Sequence, residues 1–176
     1  MKKILRLTFT LLLITAVMAA ALAGVNAITK DRIAAAKAEK TARAISAVLE
    51  NGASAEAISF SVEENPLVSK VYKNENGYAI QVSPSGFAGP VDMMVGVDNE
   101  GKITGISVIS HTETAGLGAI AAANNAKGEA FRGQFEGLSG ELSVGNEIDA
   151  ISGATITSKA VTAGVNAALA CVAGLG

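Results

Sequence analysis

The chain has 176 residues and a formal charge of -2, so it is one ordinary domain plus whatever its first thirty residues build. No acidic or basic excess points to nucleic acid, and that class of partner drops out. One cysteine excludes an intramolecular disulfide, and one histidine without a second thiol excludes an ordinary zinc site.

Lys2, Lys3 and Arg6 precede an uncharged run from Leu7 to Thr29. As a helix this run is roughly 34 Å long, enough to cross a bilayer. The positive charge on its N-terminal side predicts a cytoplasmic Met1 and a main domain outside the cytoplasm. A cleaved signal peptide, ending at Ala21-Leu22-Ala23 or Val25-Asn26-Ala27, is the competing reading. The run exceeds the roughly 7–15 apolar residues of a signal peptide, which favours an uncleaved, single-pass anchor in the cell membrane over residues 1–29. A helical connector follows over residues 30–59, where Ile33, Ala36, Ala44 and Val48 keep a helical stripe and Gly52 can end it.

Residues 60–176 read as the main domain. "LVSKVYK" and "YAIQVS" flank "NENG", and "VDMMVGV" and "KITGISVIS" flank "DNEG", two hairpin signals in succession. Residues 67–110 are thus expected to form an antiparallel meander of about four strands, with "PSGFAGP" as the loop between hairpins. A small-residue helix around Ala119–Ala126 comes next, then a short amphipathic turn presenting Phe131, Phe135 and Leu138. A short strand near Leu142–Val144 precedes a final helix whose Val161, Val165, Ala168, Leu169 and Val172 mark a buried face. Cys171 on that helix is expected to be a small buried apolar residue. Helices packed on an antiparallel sheet, preceded by one N-terminal transmembrane helix, make the fold class α+β.

Two glycine-bearing loops carry the candidate chemistry. In "HTETAGLG", Gly116 and Gly118 allow a bend and close approach of a ligand, while Thr112, Glu113 and Thr114 bring hydrogen-bonding groups. Its spacing matches neither a dinucleotide fingerprint nor a P-loop, and a polar helix-entry turn explains it equally. In "DAISGAT" a threonine hydroxyl, Thr155, stands at a helix N-terminus beside free N–H groups, a favourable place for a phosphate. Gly153 and Ala154 leave space beside it for a large group. Asp149 is open to two readings, a hydrogen-bond acceptor or an exposed turn residue. On residues alone, Ser152 or Thr155 as a plain helix cap competes with any binding role.

"DAISGAT", from Asp149 to Thr155, matches the pattern D-x-x-[ST]-G-A-[ST] at which a flavin transferase attaches FMN through a phosphoester bond. With "HTETAGLG" upstream, the chain resembles the FMN-binding family that includes the G subunit of the Rnf complex and the C subunit of the sodium-pumping NADH:quinone oxidoreductase. The resemblance covers nearly the whole chain. It implies that Thr155 carries covalent FMN, that Asp149, Ser152, Gly153 and Ala154 belong to the recognition motif, and that Glu113, Thr114, Gly116, Leu117 and Gly118 lie against the flavin. Ala115 departs from the family's usual proline, which loosens the loop slightly without removing a hydrogen-bonding group. His111 fits the same loop, although a lone histidine at a strand end is more often structural.

The implied function is electron transfer within an Rnf-type complex that passes electrons from ferredoxin to NAD and moves sodium ions or protons. The subunit would not be a complete enzyme alone. Its partners would be the other subunits, the membrane, and a flavin transferase during maturation. The alternatives are the related quinone-reductase subunit, a free-standing flavinylated carrier, or a non-redox extracytoplasmic binding or structural module.

Overall fold

The computed structural model describes residues 2–60 and 65–175, so residues 61–64 and 176 of the expected main domain, and Met1 of the expected anchor, lie outside it. The chain divides into two compact units, Met1–Glu39 and Lys40–Gly176. The first is the N-terminal part of helix α1 (Lys2–Val48), and its side chains are almost all exposed. Thr8, Thr10, Thr15 and Thr29 each return their hydroxyl to a carbonyl four residues earlier. All four threonines of the apolar run are therefore satisfied within the helix, as an apolar surrounding requires.

The second unit is built on one sheet. Strands β1 (Glu56–Ile58), β2 (Val68–Asn74), β3 (Gly77–Val82), β4 (Asp92–Asp98) and β5 (Ile103–Ser110) lie in chain order, each antiparallel to the next. Alternation along the strands assigns the two faces. Tyr78, Ile80, Val82, Met93, Val95 and Val97 enter the main core, which helices α2 (Ala126–Gly133) and α3 (Thr155–Leu175) help to close. Ala79 and Met94, one residue out of phase, pack instead with Ala44, Ile45, Val48 and Leu49 at the end of α1. Helices thus cover both faces, an α+β architecture.

The end of α1 and the turn that follows it are fastened to the sheet through otherwise unpaired carbonyls. Thr104 donates its hydroxyl to the Val48 carbonyl, and the side-chain amides of Asn74 and Asn76 donate to the Glu50 carbonyl at 2.9 and 3.1 Å. Gly96 makes the approach possible, because a Cβ there would strike the Val48 carbonyl oxygen.

Three expectations need correction. The stretch 30–59 expected as a helical connector is α-helical only to Val48, and near its end Glu56–Ile58 forms strand β1, whose three residues pair with Val71–Lys73 and are too few to show a period. No strand forms at Leu142–Val144, where only a bridge from Val144 to Ile148 remains. The Asn166 side chain on α3 takes both the N–H and the C=O of Leu142, at 3.0 and 2.8 Å, so a ladder is not needed there. The small-residue helix at Ala119–Ala126 is a single 3-10 segment over Gly118–Ala122. Asn125 then accepts from the N–H groups of Lys127 and Gly128, and that cap starts α2 at Ala126.

Candidate functional site

Helix α3 begins at Thr155 because the chain turns sharply just before it. Ala154 N–H donates to the Ile151 carbonyl at 2.9 Å, and Gly153 supplies the positive φ (76°) that this turn needs at its third position. The first α-type bond runs from Ser158 N–H to the Ala154 carbonyl at 2.9 Å. The N–H groups of Thr155, Ile156 and Thr157 thus have no backbone acceptor among the described residues. No acidic residue of α3 itself stands in its first turn.

The hydroxyls of α3 divide sharply. Thr157, Ser158 and Thr162 are buried, and each is hydrogen-bonded within the protein. Ser158 also accepts from the Ile151 N–H at 2.9 Å, which fixes the turn. Thr155 is exposed, and its hydroxyl makes no hydrogen bond among the described residues. Ser152 is exposed as well, and neither side chain makes a capping bond among the described residues.

The upstream loop joins this helix through Glu113. Its carboxylate is buried, with 8% of the residue exposed. Oε2 accepts from the Thr157 hydroxyl, and Oε1 accepts from the Ala88 N–H at 2.9 Å. One side chain therefore ties together three segments: the loop at 84–90, its own loop, and the first turn of α3. Burial by itself pushes the carboxyl up. The bonds from Thr157, Ala88 and the Phe87 N–H, with the charge influence of His111, outweigh it and hold Glu113 below the ordinary carboxylate value. Gly118 and Gly86 leave room for this arrangement, since a Cβ on either would strike a carboxylate oxygen of Glu113.

A groove of about 340 Å³ opens between these segments. Glu113, Thr114, Leu117, Gly118, Gly153, Ala154 and Thr155 all line it, as do Phe87, Ile156 and Thr157. Asp149, Ser152 and Gly116 do not; Asp149 is held by backbone bonds to the Gln134 side chain at 2.7 and 3.3 Å. His111 stands behind the loop, where Nδ1 accepts from the Glu113 N–H at 3.2 Å.

Sequence reasoning missed Phe87, Ile156 and Thr157. Outside α1, the large apolar side chains that are exposed among the described residues are Phe87 (70%), Leu117 (44%) and Ile156 (54%). All three stand on the rim of this one groove. Exposed apolar groups gathered around a concave surface are the kind of lining that receives an apolar ligand. The helix N-terminus beside them fits an anion. FMN has both parts, a planar ring system and a phosphate, and the residues present fit it.

The comparisons with known proteins agree with this geometry. Residues 86–170 match the family model for the FMN-binding domain, and residues 1–48 match that for the RnfG N-terminal region. The G subunit of the Na(+)-translocating ferredoxin:NAD(+) oxidoreductase complex of Acetobacterium woodii is 35% identical, over 94% of this chain and 89% of its own. The G subunit of the ion-translocating oxidoreductase complex of Methanosarcina acetivorans is 32% identical, over 96% of this chain and 94% of its own.

Proposed function

Because this chain belongs to the family of G subunits of Rnf-type ion-translocating oxidoreductase complexes, we propose that it carries FMN esterified through its phosphate to Thr155. The observation that carries the reading is the pairing of an unbonded, exposed threonine hydroxyl at a helix N-terminus with three exposed apolar side chains on the same groove.

When bound, FMN supplies one- or two-electron redox chemistry. The protein's share is placement. The free N–H groups at the start of α3 stabilise the phosphodiester charge. Phe87, Leu117 and Ile156 exclude water from the ring. Glu113 holds the three supporting segments in register and keeps its own charge turned inward on N–H and O–H donors.

In the complex, the subunit passes electrons between neighbouring redox centres on the route from reduced ferredoxin to NAD, and the complex moves sodium ions or protons. Helix α1 is long and apolar enough to cross a membrane; α3 also meets that criterion but is largely buried in the domain. We place the N-terminus in the cytoplasm and the flavin domain outside, where a covalent link prevents loss of a cofactor that has no pool to replace it. A flavin transferase, a separate protein, makes that link.

The test is in-gel fluorescence after full denaturation, on protein co-expressed with a flavin transferase. Wild type is expected to fluoresce and to gain the mass of one FMN less water, while Thr155→Val stays dark. A fluorescent Thr155→Val band, or a dark wild-type band with the transferase active on another substrate, overturns the assignment. Protease added outside intact cells should cut the domain, and a protected domain overturns the topology.

A further inference from the structure

A second groove, of about 480 Å³, lies away from Thr155 along the open edge of the sheet. Its floor is β5 from Ile106 to Ile109. One rim is the end of α1 with Lys40, Arg43, Ala44 and Ala47, and the other carries Arg132.

The edge is only partly covered. Ile103 exchanges backbone bonds with Gly137 and Leu138, at 2.8 and 2.9 Å, so the chain itself supplies a partner at the first residue of β5. That cover ends there. From Gly105 to Val108 the register with β4 is regular, between one irregularity at Gly96/Val97 and another at Asp92/Met93. No backbone bond reaches the outer side of this stretch among the described residues. An edge strand this open is a template for another strand.

The charge lining the groove has one sign. Lys40, Arg43 and Arg132 line it and no Asp or Glu does. Arg132 is half-buried, and its Nη1 donates to the Ala121 and Ala123 carbonyls at 2.7 and 3.1 Å. A guanidinium has five N–H donors, and its remaining ones have no acceptor among the described residues. Glu129 on the same helix is the acid that acts on it, and it makes no ion pair with Arg132 among the described residues.

We propose that this groove is a docking site for an extended acidic segment of another protein, which adds beside β5 as a sixth strand and sets its carboxylates on Lys40 and Arg132. The occupant follows from the chemistry of the floor and the rims. A free strand edge offers alternating N–H and C=O groups, and only a polypeptide backbone satisfies both. A phosphate or lipid headgroup would meet the cations and the N–H groups while leaving the carbonyls unpaired. A second copy of this chain, edge to edge, would set like charges against each other.

The proposal rests on this chain being one subunit of a complex, and the experiment separates the two. Amide hydrogen exchange is measured on the full chain in detergent and again in the assembled complex, together with a photoreactive residue placed at Lys40. The amides of Gly105–Ser110 are expected to exchange about tenfold or more slowly in the complex. The cross-link should fall on a stretch of another subunit rich in Asp or Glu. Lys40→Glu should abolish the protection while the isolated chain melts as before, and reversing the cross-linked acids should restore it. If no complex assembles with this chain, the functional reading falls as well. A complex that assembles with the β5 edge still exchanging fast, or a cross-link to lipid or to a second copy, overturns the docking site alone.

Discussion

Removing the Glu113 carboxylate tests whether one side chain organises the groove beside Thr155. In Glu113→Ala, the Thr157 hydroxyl and the Ala88 N–H lose a charged acceptor in a buried place. Bonds to charged groups contribute about 1.5–3 kcal/mol each, so the two together give about 3–6 kcal/mol. For a unit the size of Lys40–Gly176 that corresponds to a fall of roughly 10–25 °C in Tm. Glu113→Gln keeps the shape and an acceptor oxygen but loses the charge, and should cost about 1–2 kcal/mol.

The pH dependence isolates the charge. The folded Glu113 carboxyl lies below its ordinary value of 4.5, so its contribution is fully present above that value and is lost as pH falls through the folded value. The Tm gap between wild type and Glu113→Gln is therefore wide at pH 7 and closes in acid. Thermal unfolding of the full chain in detergent, before flavin attachment and followed by circular dichroism, reads both effects. A Glu113→Ala chain melting within about 2 °C of wild type refutes the reasoning, as does a gap between wild type and Glu113→Gln that does not change with pH.

Gly153→Ala forces a Cβ into a left-handed turn and to 3.0 Å from Leu117 Cδ2. It should cost about 1–2 kcal/mol in Tm measurements and lower the in-gel flavin signal relative to wild type. Phe87→Ala should keep the covalent flavin while opening one side of the ring to water, so iodide should quench its fluorescence more efficiently than in wild type. Phe135→Ala removes a fully buried ring that meets Phe131 edge-on at 5.6 Å, and denaturant unfolding should show a loss of about 3–5 kcal/mol.

The elements with a long or repeated period were legible in the sequence. The apolar run of α1, the two hairpins and the apolar face of α3 each contain enough residues to show a spacing, and the structure has them. What escaped was decided by single side chains acting across the fold. Asn166 replaces a strand partner for Leu142, and Asn125 moves the start of α2 past the small-residue run. In the site, the two glycine-bearing loops show in the sequence because their glycines and threonines are local. Phe87 does not show, because it belongs to a turn whose link to Glu113 spans twenty-five residues. Ile156 follows the motif directly, yet only the folded helix reveals that it stays uncovered.

The division of hydroxyls along the start of α3 has a consequence for when the protein can be modified. An unfolded chain offers Ser152, Thr155, Thr157, Ser158 and Thr162 as alcohols of nearly equal chemistry within eleven positions. Folding withdraws three of them into the interior. Of the two left outside, only Thr155 lies in the groove. Selectivity for one alcohol over its neighbours is thus already built into the tertiary structure, and a transferase needs little discrimination of its own if it meets the finished domain. Under the proposed attachment at Thr155, the modification would follow folding rather than precede it.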